Sequence, residues 1–262
     1  MSRENAVYKK VLRIRQGIFQ EIDDLLTVEA PVTIYLNGNE LVTLLCTPEK
    51  LDFLALGFLR SEGIITDPED IKDIFVREEG LVEVNLKKDA GLAEKLYGKR
   101  TLTSGCGKGT VFFSALDSLR SSPLEGDLTI SPKKISFLID ALQDKAELFK
   151  ATGGVHSAGL ADGEKILFFC EDIGRHNAID KIVGECLRAG ISTEDKIMVS
   201  SGRLSSEILL KAAKLKIQLL ISRAAPTTLC VELADNLNIT LVGFARGKRM
   251  NVYTHPWRVA ES

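Results

Sequence analysis

Cys106 sits between Gly105 and Gly107 and two positions before Lys108, in the stretch Thr103-Ser104-Gly105-Cys106-Gly107-Lys108-Gly109-Thr110. Each neighbour suits thiol chemistry. Flanking glycines leave a sulfur approachable. A lysine charge and a helix start, predicted over 111–119, favour the thiolate, which is the nucleophilic form. The residues alone leave two readings open, a nucleophile and an idle exposed cysteine. The other four cysteines read as core: Cys186 and Cys230 fall on apolar stripes, and Cys46 and Cys170 end predicted strands. The loop is not a phosphate-binding P-loop, because Leu102 stands at the first glycine position and Gly109 follows Lys108 where Ser or Thr is required.

A second set of residues could hold phosphate. Three successive predicted strands end in Ser200-Ser201-Gly202-Arg203, in Ser222-Arg223-Ala224-Ala225-Pro226-Thr227 and in Phe244-Ala245-Arg246-Gly247-Lys248-Arg249. Ligands of open α/β sheets bind outside the carboxyl ends of the strands, where helix N-termini and arginine forks match phosphate oxygens. Arg203, Arg223 and Arg246 together therefore suggest a nucleotide site, against the alternative of solvated surface charge. Two of the three histidines, His156 and His176, flank another predicted strand. A zinc deaminase would need glutamate where Ala158 stands and a paired C-x-x-C, which this chain lacks. No resident metal is expected. His176, one turn before Asp180, either lines a ligand pocket or belongs to a hydrogen-bonded helix start.

The elements that must position these residues read as two units. Over 1–122 the pattern is a smaller α+β domain carrying the Cys106 loop. A hairpin is expected at 32–36 and 41–45 around Asn37-Gly38. Thr47-Pro48 would then cap a helix ending at Gly63, with strands at 71–76 and 81–86. The polar, turn-rich stretch after Ser121-Ser122-Pro123 marks a boundary. Over 123–262 a helix opening at Ser131-Pro132 precedes alternating strands (165–170, 196–200, 216–222, 239–245) and helices (177–189, 204–214, 227–236). Nearly continuous apolar strands of this kind indicate an α/β unit with a largely parallel, two-sided sheet. A net charge of −2 excludes a global attraction to nucleic acid or anionic lipid. No apolar run approaches membrane-spanning length. An opening without an apolar signal core and an odd number of scattered cysteines fit a reduced, cytoplasmic setting.

Taken together, these segments resemble the FdhD family, the formate dehydrogenase accessory sulfurtransferases. The resemblance rests on Ala55-Leu56-Gly57-Phe58-Leu59-Arg60-Ser61-Glu62-Gly63-Ile64, on Gly153 through Ala158, and on Glu171-Asp172-Ile173-Gly174-Arg175-His176-Asn177-Ala178-Ile179-Asp180-Lys181. It continues through Ser201 to Glu207, Ser222 to Thr227, and Gly243 to Thr254. It implies a sulfur carrier that takes sulfur from a cysteine desulfurase as a persulfide, on Cys106. The sulfur then passes to a molybdenum cofactor bearing two guanine dinucleotide arms, a bound substrate, before insertion into formate dehydrogenase. It also implies a cofactor-binding stretch over Phe244, Ala245, Arg246, Gly247, Lys248 and Arg249, and a three-layer second domain similar to cytidine deaminases. His176, Arg203 and Arg223 complete the candidate site. The carrier could act alone or as a homodimer. One departure stands out: many members carry C-x-x-C in the loop, and Gly109 here removes the second thiol. Sulfur transfer through one thiol is one consequence. A cofactor-binding chaperone without sulfur chemistry is the other.

Overall fold

The computed structural model describes residues 5–87 and 123–261. Its first element is one that the residue pattern did not predict, an antiparallel hairpin of β1 (Ala6–Arg15) and β2 (Ile18–Thr27) turning at Gln16 and Gly17 (φ 51° and 81°). Adjacent like charges, Lys9-Lys10 on one strand and Asp23-Asp24 on the other, break the period-two alternation that marks a half-buried strand. Next come β3 (Ala30–Leu36) and β4 (Asn39–Cys46), joined through Asn37 and Gly38, both at positive φ as a two-residue hairpin turn requires. Helix α1 (Leu51–Glu62) follows, ended by Gly63 in the left-handed region, and then β5 (Ile71–Arg77) and β6 (Leu81–Leu86). The sheet order is β4-β3-β6-β5, with β3 and β6 parallel. Val32, Ile34, Leu36, Val82 and Val84 turn one face onto Leu54, Ala55, Phe58 and Leu59 of α1.

The helix does not begin where its residues predict. Thr47 is not its N-cap; α1 starts at Leu51, with Lys50 (φ 54°) at the cap. Thr47 has a stronger partner elsewhere, since its N–H and hydroxyl donate to the Asp172 carboxylate at 3.1 and 3.0 Å.

The second half opens with α2 (Pro132–Lys145), capped by the Ser131 hydroxyl, and α3 (Glu147–Thr152). It continues through β7 (His156–Ala161), β8 (Ile166–Asp172), α4 (Arg175–Ala189), β9 (Ile197–Ser200), α5 (Ser206–Lys214) and β10 (Leu219–Ser222). The last elements are α6 (Thr228–Asn236), β11 (Thr240–Arg246) and β12 (Arg249–Val252). The six strands lie in the order β12-β11-β10-β9-β7-β8. Helices cover both faces: Met198, Leu220 and Leu241 face α4, α5 and α6, and Val199, Ile221 and Val242 face α2. Burial on both faces explains the continuous apolar runs. The expectation of a largely parallel sheet needs correction. Only β9, β10 and β11 run parallel; β7, β8 and β12 are antiparallel to their neighbours. Apolar continuity reports burial, not strand direction, so the residue pattern could not separate the two.

The halves interlock. Helix α1 crosses α4 at two glycines, where a Cβ on Gly57 would come 1.7 Å from the Asp180 carbonyl oxygen and one on Gly184 2.0 Å from that of Phe53. The base of the β1–β2 hairpin packs on the second half. Ala6 and Leu25 contact Leu148, Val155 and Ile173, and the Thr27 hydroxyl donates to Thr152 at 2.7 Å.

Candidate functional site

Most polar residues of the stretch 171–181 point inward and fasten the halves together. The Asp172 carboxylate is fully buried and accepts from Thr47, from the Gly174 N–H (2.8 Å) and from Asn177 (3.0 Å). Lys181, also buried, lies 2.7 Å from it and donates to the Thr47 carbonyl and hydroxyl at 3.0 and 2.8 Å. Asn177 also donates to the Leu45 carbonyl (2.8 Å). One turn on, Asp180 accepts from Ser61 of α1 (2.7 Å) and from Lys211 of α5 (2.7 and 2.6 Å). Glu171 takes the first free N–H groups of α3, those of Leu148 and Phe149, at 2.9 Å each. These groups serve a buried clasp, and side-chain spacing alone could not distinguish that from a pocket wall.

The clasp places an open cleft at the carboxyl edge of the parallel strands. Because β7 runs against β9, its first residues His156 and Ser157 come to this edge, where Ser157 and Ser201 exchange hydrogen bonds of 2.9 Å. The serines that end β9 and β10 turn the chain there. Ser200 accepts from the Gly202 N–H (3.1 Å), and Ser222 donates to the Gly202 carbonyl (2.6 Å) while accepting from the Ala224 N–H (3.0 Å). On β11 a bulge between Gly243 and Arg246 puts Phe244 at φ 51°, a strained conformation of the sort found beside binding sites. Arg246 then reaches back and donates from Nε to the Arg223 carbonyl at 3.1 Å. The resulting cleft has a volume near 550 Å³. Arg223, Arg246, Lys150, Gln143, His156 and Ser201 give it polar walls, and Leu142, Ala146, Phe149, Val155 and Ile173 give it an apolar side.

Burial weakens proton binding at two histidines near this edge. Burial, then the Arg175 and Arg203 charges, push the pKa of His156 below its ordinary value, and its Nδ1 lies 3.5 Å from the Ser201 hydroxyl. Burial also lowers the pKa of His176, whose Nε2 lies 2.9 Å from a Glu207 carboxylate oxygen, and this contact holds the Glu207 carboxyl below its usual range.

The model of the FdhD/NarQ family matches residues 27–260. The chain belongs to that family. Among its FdhD relatives it is 44% identical, over 262 residues and all of both chains, to the sulfur carrier protein FdhD of Bacillus subtilis (strain 168). It is 43% identical over 260 residues, 99% of each chain, to that of Geobacillus kaustophilus (strain HTA426). Its fold is similar to a crystal structure described as that of a formate dehydrogenase accessory protein from Desulfotalea psychrophila. The TM-score is 0.81 at 28% identity, covering 97% of this chain and 99% of the other.

Against this FdhD fold, the residues singled out by sequence fall into three groups. Arg223 and Arg246 converge on the cleft. Arg203 is exposed and close enough to His156 to shift it; Phe244 is half-buried in the bulge; and Gly247, Lys248 and Arg249 form the exposed turn into β12. Ala245 is buried in the core between the sheet and α2, and His176 faces Glu207. Cys106, Lys108 and Gly109 lie outside the described residues. Sequence reasoning missed Lys150 and Gln143 as cleft residues, and did not place His156 in the site. None carries a local signal, because the antiparallel β7 and the helix pair α2–α3 bring them in from distant segments. Cys46, Cys170, Cys186 and Cys230 are buried as expected, and burial pushes their thiols up to about 12, 11, 12 and 12. Among the described residues no group of three His, Cys, Asp or Glu could hold a metal ion, and no helix is long and apolar enough to cross a membrane.

Proposed function

We propose that this chain is a cytoplasmic sulfur carrier for formate dehydrogenase, which loads sulfur on Cys106 and passes it to a molybdenum cofactor bound by its guanine dinucleotide arms. The observation that carries the reading is the convergence of Arg223 and Arg246, from separate strand ends, on one cleft with an apolar side. Arginine forks complement phosphate oxygens, and the apolar side suits a flat ring. The names of the relatives, sulfur carrier and formate dehydrogenase accessory protein, agree with it. The similarity of the second half to cytidine deaminases belongs to the same proposal.

In the loading step the Cys106 thiolate attacks the outer sulfur of a desulfurase persulfide. A new S–S bond forms at Cys106 as the old one breaks, and the desulfurase cysteine leaves as a thiolate, so no net oxidation occurs. Lys108 favours the thiolate. Release of that sulfur as sulfide takes two electrons. Gly109 gives Cys106 no partner in its loop, so two external thiols supply them and leave as a disulfide. Arg203, Arg223 and Arg246, with the turn at Gly247, Lys248 and Arg249, hold the substrate's phosphates meanwhile.

Mass spectrometry after incubation with a cysteine desulfurase and cysteine tests the reading. One added sulfur on Cys106, and failure of Cys106→Ala to mature formate dehydrogenase, are expected. Active formate dehydrogenase with Cys106→Ala would make the chain a cofactor-binding chaperone instead.

A further inference from the structure

Among the described residues that line the cleft, only His156 has a side chain that ordinarily titrates near neutral pH. It opens β7, whose antiparallel pairing with β8 and β9 brings it to the carboxyl edge of the parallel strands, where it is half-buried. Fixed cations share the wall. They are Arg223, Arg246 and Lys150, and the Nε of Arg223 is a buried donor without a hydrogen-bond partner among the described residues. An anion is what such a donor lacks.

The groups that face His156 from neighbouring elements are either committed or cationic. On β8 the Asp172 carboxylate stands opposite it in register, but is bound to Lys181, Thr47, Gly174 and Asn177. Glu171, next along, is bound to the free N–H groups of α3. Arg175 and His176 act on the ring from the start of α4, and Arg203 from the turn after β9. By themselves, burial and these arginines weaken proton binding at the ring. A multiply charged anion placed among them reverses that balance. The contact with Ser201 suits both states of the ring. The Ser201 hydroxyl accepts from the Ser157 N–H at 2.9 Å and lies 3.5 Å from Nδ1. A hydroxyl has one hydrogen and two acceptor sites. Ser201 therefore donates to a neutral Nδ1 and, turned about its C–O bond, accepts from a protonated one. The proton enters without the loss of a hydrogen bond.

Resting on the phosphate-binding reading above, we propose that His156 takes up a proton as phosphates bind, and is a charged contact of the cleft only in the bound state. Linkage is reciprocal: a ligand that strengthens proton binding about tenfold is itself bound about tenfold tighter by the protonated protein. Proton binding is weak in the free protein and stronger in the bound one. Affinity therefore rises as pH falls through the bound value, and levels off below the free one.

Diguanosine pyrophosphate is the probe that tests this, because its internal pyrophosphate does not titrate near neutral pH as the terminal phosphate of guanosine diphosphate does. NMR of the full chain follows the ring signals of its three histidines through a pH titration, and the signal missing from His156→Gln is that of His156. With the probe present, His156 should bind its proton about tenfold more tightly, and calorimetric affinity should be about tenfold higher on the acid plateau than on the alkaline one. His156→Gln should lose that pH dependence. Proton uptake by the wild type, counted in buffers of differing ionisation heat, supplies a readout that needs no variant. Binding without proton uptake, or full pH dependence in His156→Gln, would overturn this inference and leave the phosphate reading in place. Absence of binding at every pH would overturn both.

Discussion

Replacing Lys181 by Met removes a buried cation in contact with the buried Asp172 carboxylate. Lys181 and Asp172 are 1% and 0% exposed, and 2.7 Å apart. Deleting one partner of a buried ion pair costs about 3–5 kcal/mol, because the other charge is left without its counter-ion in a poorly polarisable interior. Asp172 keeps four further donors, from Thr47 (two), Gly174 and Asn177, which argues for the lower end, about 3 kcal/mol. With roughly 2.1 cal/mol/K of unfolding entropy per residue, a chain of 262 residues should lose about 5 °C in Tm. Differential scanning calorimetry of the full chain measures this directly. Asp172→Asn should cost a comparable amount, and the double variant should fall short of the sum by about 2 kcal/mol, since it leaves no unpaired charge. A loss below about 1 kcal/mol for Lys181→Met, or strict additivity in the double variant, would refute the clasp as an electrostatic unit.

Four further outcomes follow from the geometry. Gly184→Ala should destabilise by at least about 1–3 kcal/mol in urea titration, because its Cβ would meet the Phe53 backbone rather than a side chain that can move. Brief alkylation of the native chain near pH 8 should label Cys106 alone and all five cysteines after unfolding, since the buried thiols are raised to about 11–12; fast labelling of a second cysteine would count against this. His156 and His176 are both lowered in the fold, so the unfolded chain takes up protons first. Stability is full above the ordinary histidine pKa of 6.5 and is lost as pH falls through the folded values. His156→Gln/His176→Gln should flatten that acid limb of the pH–stability curve. Arg246→Ala should weaken guanosine diphosphate by about 1.5–3 kcal/mol if the arginine meets phosphate, with a shallower salt dependence by isothermal titration; equal affinity in the two proteins would remove it from the site.

The sequence by itself fixed what depends on near neighbours. Asn37-Gly38 specifies a hairpin because two consecutive residues must take positive φ. Ser131-Pro132 specifies a helix start because one side chain caps and the next lacks a needed N–H. Both-face burial specifies the apolar strands β9, β10 and β11. The strand-end arginines were legible for the same reason, since a short stretch carries both the strand and the turn after it. What depended on segments more than a hundred residues apart was not legible. Thr47 has the residue type of an N-cap, yet Asp172, 125 positions on, engages its donors and moves the helix start to Leu51. The one-turn spacing of His176 and Asp180 suits either a pocket wall or a hydrogen-bonded helix start, and the crossing of α1 over α4 at Gly57 and Gly184 makes Asp180 and Lys181 part of a clasp. The direction of β7 and the entry of Lys150 and His156 into the cleft were likewise decided by packing. A side chain's chemistry is local, but its neighbours and its solvent exposure are set by the whole fold.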